Sequence, residues 1–420
     1  MNVDLLVTNI GDLCRMGEGT GPQRGPEQGD VSSIQDAALA IHDGTVRFAG
    51  PRAEGLAAAG TPARVIDVGG RTVLPGWVDA HTHLLFAGTR EDEFALRVAG
   101  VGYEEIAAQG GGIHSSVRRF RETGDDALLA SAGRNLDLAL SLGTTTIEVK
   151  SGYGLSTPEE LRALRLIKTL QATHAVDIVP TFLGAHEIPS EWRDNRAGYV
   201  RAITHDMLPV IAREHLAEYC DVFCERGVFT PDESRNILET AQSLGLKLKI
   251  HADEFGDTGG GRLAASLGVT SADHLHGSEK DLIPALAQAG VVAVLLPGTA
   301  FFLGLSRQAP ARAMIDAGVP VAVATDLNPG SSMSQSMPLM TTLACVNLRL
   351  SPEEALVAGT VNGAAALDRA ERVGRLRPGF RADFQVLDLP SHRLLPYHYG
   401  VSHVRAVFRA GRQVWGPEFS

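Results

Sequence analysis

Two histidines spaced by one residue open the chemistry of this chain. Asp79-Ala80-His81-Thr82-His83 follows directly on the apolar stretch Leu74 to Val78. Strand side chains alternate faces, so His81 and His83 point the same way. Two neutral imidazoles at such a strand end suit a divalent metal, although the pair alone also reads as two loop histidines at the surface. Two further residues alter the balance. His251 ends the apolar run Leu246 to Ile250, and Asp326 ends Val321 to Thr325. Singly, His251 reads as a core histidine and Asp326 as a turn residue before Asn328-Pro329-Gly330. Four donors on three strand ends predict instead one metal site made of His81, His83, His251 and Asp326. A metal held this way lowers the pKa of a bound water from near 16 towards about 7. Imidazoles with a carboxylate fit zinc or iron, and the residue types do not separate them.

Groups that move protons lie close by in sequence. Glu254, three residues after His251, is placed to take a proton from that water and return it to a leaving nitrogen. His274 ends the next apolar run and would orient the water or steady an oxyanion. Their ordinary structural readings are a helix-start charge beside Asp257 and a buried histidine. How proton transfer divides among Glu254, His274 and Asp326 stays open at this level.

Something must hold these residues at one place. Eight short apolar runs alternate with helical patterns: Trp77 to Ala80, Thr145 to Val149, Ile178 to Leu183, Tyr219 to Phe223, Leu246 to Ile250, Ser271 to Asp273, Val291 to Leu295 and Val321 to Ala324. Runs apolar on both faces predict parallel strands covered by helices. Helix starts recur as Thr157-Pro158-Glu159-Glu160, Thr230-Pro231-Asp232-Glu233 and Ser351-Pro352-Glu353-Glu354, each read as a capping box with Pro at the first helical position. The pattern predicts an α/β fold, a (β/α)8 TIM-type metallo-barrel over residues 76–365, with its active site at the C-terminal mouth. A doubly wound sheet is the competitor, but no G-x-G-x-x-G follows the first strand. Residues 1–75 and 366–420 read as β structure that joins into one small domain. Asp43-Gly44 marks one hairpin and Gly69-Gly70 a second, while Gly17 to Asp30 reads as an exposed loop. The clusters Gly110 to Gly112 and Gly259 to Gly261 lack the G-K-[ST] ending of a phosphate loop and read as tight turns or helix boundaries.

Composition narrows the classes. The 420 residues carry a formal net charge of -11, which argues against non-specific nucleic-acid binding and against an acidic membrane surface. Four scattered cysteines suggest reduced, cytosolic usage, with Cys220 and Cys224 as packing residues. Met1 to Ile10 lacks the basic and apolar regions of a secretory signal, and no apolar stretch is long enough to span a bilayer. The expected location is the cytoplasm.

The segment Pro75-Gly76-Trp77-Val78-Asp79-Ala80-His81-Thr82-His83 resembles the opening of the amidohydrolase superfamily. Further segments resemble one family within it, the imidazolonepropionases: His81 to Arg90, Gly110 to Ile113, Glu148 to Leu155, Phe182 to Glu187, His251 to Phe255 and Thr325 to Ser331. They run in order through nearly the whole chain. The resemblance implies a metallo-barrel with a small β-sandwich domain formed by both chain ends. It implies His81, His83, His251 and Asp326 as metal ligands, with Arg90, Tyr103, Tyr153 and His186 as substrate contacts. Glu254 would contact the substrate too, and Asn328, Gly330 and Ser331 would line the same pocket. The implied reaction, in histidine degradation, is hydrolysis of 4-imidazolone-5-propanoate to N-formimidoyl-L-glutamate. Arg90 offers a planar fork for the propionate. Many superfamily members hold two metals bridged by a lysine on the fourth barrel strand. Here Tyr219 to Phe223 continues as Cys224-Glu225-Arg226, so one metal is expected. The family analogy also implies a homodimer. Two rival readings are an aromatic (nucleobase-type) deaminase on the same scaffold and an inactive barrel that only binds.

Overall fold

All eight apolar runs form strands of one parallel sheet. The computed structural model describes residues 2–101 and 111–419. The strands are β6 (Trp77–Asp79), β7 (Thr144–Lys150), β8 (Asp177–Ala185), β9 (Tyr219–Cys224), β10 (Lys247–Ala252), β11 (Ser271–His274), β12 (Val292–Leu295) and β13 (Val321–Val323), hydrogen-bonded in that order. The ring closes just beyond the last strand. The Asp326 amide donates to the His81 carbonyl at 3.0 Å and the His83 amide to the Leu327 carbonyl at 2.9 Å. Beneath them the Asp79 carboxylate accepts the Thr325 amide at 3.0 Å and hydroxyl at 2.5 Å. These bonds fix where His81, His83 and Asp326 end up. Gly76 lets β6 lie against β7, because a Cβ there would overlap the Thr145 side chain.

Outward-facing residues such as Ile147, Val149, Cys220, Val222, Leu248 and Ile250 pack beneath the helices. The barrel floor is apolar, with Val78, Val179, Tyr219, Val292 and Val294 closed off by Ala364, Leu367 and Val373.

The chain ends build a second sheet from β1 (Leu5–Cys14), β2 (Ser33–His42), β3 (Thr45–Pro51), β4 (Arg64–Asp67), β5 (Thr72–Pro75), β14 (Phe384–Leu387), β15 (Val404–Arg409) and β16 (Arg412–Trp415). It is largely antiparallel and folds over its own core, which includes Ile10, Leu39, Phe384 and Phe408. The Asp43-Gly44 turn does join β2 to β3 as an antiparallel hairpin. Gly69-Gly70 does not make one. Both β4 and β5 run parallel to β1, so the two glycines, at φ of 63° and 79°, only jog the chain between successive pairings.

Two other expectations change. The segment Gly17 to Asp30 is not simply exposed. It carries a short 3-10 helix (Gly25–Gly29), and Gln28 is fully buried at the start of β13. Its side-chain amide donates to the Val321 carbonyl at 3.0 Å and accepts the Val321 amide at 3.1 Å. At the helix Thr157–Thr173 there is no capping box, although Thr230 and Ser351 each form one. Glu160 turns back instead and accepts the amides of Gly152, Gly154 and Leu155 at 2.8–3.2 Å. A backbone need in the loop has outcompeted the helix end for the carboxylate.

Gln28 makes two hydrogen bonds that water cannot replace. Gln28→Ala is expected to lower stability by about 1–3 kcal/mol, read as a lower midpoint of chemical unfolding. An unchanged midpoint would mean that the segment does not hold β13.

Candidate active site

The strand ends bring the expected donors together. His251 Nε2 lies 3.2 Å from His83 Nε2. Asp326 Oδ1 is 3.5 Å from both His81 Nε2 and His83 Nε2. His274 joins this cluster through His81 and Asp326. Asp326 and His274 reach it from left-handed backbone, at φ of 52° and 73°, a conformation that costs about 1–3 kcal/mol for a non-glycine residue.

Tautomers are set from behind. His81 Nδ1 donates to Asp273 Oδ2 at 2.6 Å and His251 Nδ1 to Asp221 Oδ1 at 3.0 Å, which turns each Nε2 lone pair inward. Thr299 donates to the outer oxygen of Asp326 at 2.5 Å. His81 Nε2 and Asp326 Oδ1 are then buried with no hydrogen-bond partner. Burial, then neighbouring Lys150, keeps His81 far below the usual imidazole range, so it stays neutral. Three converging imidazoles and a carboxylate, with His81 Nε2 and Asp326 Oδ1 left without a partner, fit a divalent metal with an open position.

Beneath these histidines and Asp326 lies an ionic layer that the apolar reading of the strands had missed. Glu148, Lys150, Asp221, Lys249 and Asp273 are all fully buried. Lys150 Nζ is 2.7 Å from both Glu148 and Asp221, and Lys249 Nζ is 3.1 Å from Glu148. Thr181 and Ser271 donate to Glu148 and Asp273 at 2.5 and 2.7 Å. Burial alone would raise Asp221, but His251 and Lys150 outweigh it and hold the carboxyl well below its ordinary range. A signal existed in the sequence: Glu148-x-Lys150 and Lys249-x-His251 put charges at every second strand position, on the inner face.

Glu254 sits beside this cluster, buried, with Oε1 3.8 Å from His274 Nδ1. Burial, then the carboxylates of Asp326 and Glu225, push its pKa well above the usual range. A raised pKa makes the ionised form of this carboxyl a stronger base than an ordinary glutamate. Burial lowers His274 well below its usual value, so the ring is neutral.

A cavity of about 630 Å³ opens over the cluster and contains His83, His251, Glu254, His274 and Asp326 in its wall. Arg90, Tyr153, His186, Asn328, Gly330 and Ser331 line the same cavity. His186 Nδ1 donates to the Gly152 carbonyl at 2.9 Å, and burial lowers its pKa to about 3, so Nε2 is an acceptor. The Arg90 guanidinium lies against Gly330, where any Cβ would overlap it, and Glu93 pairs with it at 2.5 Å. Asn328 is occupied as a loop builder: its Oδ1 accepts the Gly330 and Ser331 amides at 2.8 and 2.7 Å. Tyr103 lies outside the described residues. Arg97, which the sequence reading had missed, also lines the cavity, donating to the Gly330 carbonyl at 2.8 Å with its guanidinium over the Phe94 and Phe302 rings. At Gly259 to Gly261, two of the amides donate to Asp253, so that turn binds its own carboxylate.

Residues 72–414 match the amidohydrolase family profile. The chain is 46% identical over 401 residues to the imidazolonepropionase of Geobacillus kaustophilus, covering 95% of this chain and 94% of that protein. It is 48% identical over 415 residues to the imidazolonepropionase of Symbiobacterium thermophilum, covering 98% and 97%. Among solved structures, an adenosine deaminase from Xanthomonas campestris with bound zinc superimposes with a TM-score of 0.73 at 20% identity, over 99% of this chain and 93% of that one. A 5-methylcytosine deaminase from Klebsiella pneumoniae gives 0.73 at 17% identity, over 98% of each chain. At such identities these structures share the fold alone.

The Asp221–His251 bond generates a prediction about metal. Asp221→Asn keeps the shape but frees the tautomer, and is expected to weaken metal binding about 10- to 100-fold in chelator competition. Lys150→Met leaves carboxylates buried without their cation, and is expected to cost about 3–5 kcal/mol of unfolding free energy. Wild-type values in both would remove the ionic layer from any role in holding the site.

Proposed function

The chain belongs to the amidohydrolase family and, within it, to the imidazolonepropionases, and on that premise we propose that it hydrolyses the ring C–N bond of 4-imidazolone-5-propanoate to N-formimidoyl-L-glutamate in histidine degradation. The observation that carries the reading is one cavity with a cationic fork, Arg90, in the same wall as the converging side chains His83, His251 and Asp326 and as Glu254. His81, His83, His251 and Asp326 would hold one divalent metal, zinc or iron by its donor set, which supplies Lewis-acid polarisation and a more acidic water.

The remaining roles fall to the chain's own groups. Arg90 pairs with the propionate, its Nε free of other partners. Tyr153 is buried and its hydroxyl is held above its usual pKa, so it donates rather than ionises. His186 Nε2 accepts from a ring N–H. Glu254 takes the proton of the attacking water and delivers it to the ring nitrogen as the C–N bond breaks. His274 steadies the negative charge that develops on the carbonyl oxygen, and Asp326 can share the proton with Glu254. The Gly330 and Ser331 segment, shaped by Asn328, completes the substrate pocket. A deaminase of neutral bases needs no carboxylate partner, which favours a carboxylate-bearing substrate here. A barrel kept only for binding has no use for a buried, unpaired proton acceptor.

Metal-loaded protein is expected to accelerate the loss of imidazolone ultraviolet absorbance well above the spontaneous background. No acceleration would sink the substrate assignment. Glu254→Gln should lower kcat by about 10²- to 10⁴-fold while leaving metal content intact. Arg90→Ala should reduce kcat/KM by about 10- to 100-fold through the lost charged hydrogen bonds. If Arg90→Ala left kcat/KM unchanged, the propionate would have to be held elsewhere.

A further inference from the structure

The proposed reaction leaves Arg97 without a task, although it lines the same cavity as Arg90. Arg90 stands at the start of the helix Glu91–Val98 and Arg97 in its last turn. Residues seven apart are close to two helical turns apart and so share one face. Glu93 lies between them on the same stripe.

Both guanidiniums meet at one residue, Gly330. Its carbonyl accepts Arg97 Nη1 at 2.8 Å, and a Cβ on it would overlap Arg90 Nη1. Aromatic faces hold Arg97 as well. Its guanidinium carbon lies 5.0 Å from the Phe302 ring centre and 5.9 Å from that of Phe94, and the two rings stack 4.9 Å apart. A guanidinium fixed in this way loses little freedom on taking a ligand. It also carries more N–H donors than the one given to Gly330.

The charges here do not cancel. Glu93 Oε2 accepts Arg90 Nη2 at 2.5 Å and the Gly112 amide at 3.2 Å, so it is committed to Arg90. Among the described residues no carboxylate pairs with Arg97. Two cations and one anion leave one positive charge over. Burial, then Arg90, lower the Arg97 pKa, as expected of a cation held beside a like charge. An anion placed near both guanidiniums relieves that repulsion.

We propose that Arg97 is a second carboxylate-binding residue of this cavity, and that it and Arg90 together take the carboxylate of the substrate. This role rests on the reading of the cavity as the site of an imidazolone propanoate, and it names the group that sets the preference for an anionic side chain. With Glu93 on Arg90, the charge that selects a carboxylate over a neutral group of similar shape is largely that of Arg97.

The rival role is a brace, in which Arg97 only holds the Gly330 carbonyl and shapes the loop. Two ligands separate these roles. Metal-loaded full-length protein is titrated by calorimetry with imidazole-4-propanoate and with its neutral propanamide. Wild-type protein is expected to prefer the propanoate by about 10- to 100-fold, the range of charged hydrogen bonds. Arg97→Gln keeps a donor for the Gly330 carbonyl and removes the charge. It should weaken the propanoate about 10-fold and change the propanamide by less than about twofold. Arg97→Lys, with the charge but not the fork, should recover part of the preference. Equal losses for the two ligands would overturn the proposal and leave Arg97 as a brace. So would a wild type with no preference for the propanoate, or an Arg97→Gln variant that keeps the full preference. Should Arg97→Gln fail to fold, Arg97→Met, which keeps an apolar stem over the rings, decides in its place. Wild-type turnover of 4-imidazolone-5-propanoate is measured separately. Its absence sinks the proposed reaction, while the ligand pair still decides the role of Arg97.

Discussion

Inside the barrel, Glu148, Lys150, Asp221, Lys249 and Asp273 are cut off from water, and none can lose its partners without leaving a charge uncompensated in a low-dielectric interior. Such a network is weak evidence for stability, since an apolar replacement of equal volume is often no worse. Its value here is positional. Asp221 and Asp273 are each held by lysine on one side and present an oxygen to the His251 or His81 imidazole on the other. The strand register that pairs Lys249 with Ser271 and His251 with Asp273 is thus tied to the tautomers of His81 and His251. A slip of one residue would turn the charged side chains into the helix layer, where there is only hydrocarbon.

Above this layer the loops are shaped by polar groups turned from ordinary duties. Glu160 abandons a helix cap to hold the turn that carries Tyr153. Asn328 spends its amide on the loop of Gly330 and Ser331, and Gly330 in turn leaves space for the Arg90 guanidinium. The cavity wall is therefore rigid where substrate would be held. The left-handed backbone at Asp326 and His274 has the same sense: the surrounding hydrogen bonds over-determine a conformation that neither residue prefers alone.

Much of this was legible in the chain. Parallel strands reveal themselves as apolar runs, and the four donors at strand ends are simple to align once a barrel is assumed. The ionic layer escaped because its charges sit singly between outward-facing apolar residues, in strands whose average is hydrophobic. Arg97 escaped because a helix Glu91–Val98 with acids at its start and an arginine near its end looks like an ordinary solvated helix. The Gly69-Gly70 jog and the burial of Gln28 depend on partners about sixty residues and nearly three hundred residues away, beyond any local pattern.

The net charge of -11 and an anionic substrate are compatible for a reason of scale. Surface charge is screened over about 8 Å at physiological ionic strength, so it contributes little inside a cavity. What acts there is the local arrangement. Arg97, over the Phe94 and Phe302 rings, is lowered by burial and then by Arg90, so the two guanidiniums share one region of positive potential. Glu93 offsets part of it by pairing with Arg90. Glu254 and Asp326 add acidic groups to the wall on the side of the histidine cluster. A molecule with a carboxylate and a ring amide then has one favourable orientation, with the carboxylate towards the arginines and the ring towards the donors. Specificity for such a substrate follows from that polarity more than from the shape of the cavity alone.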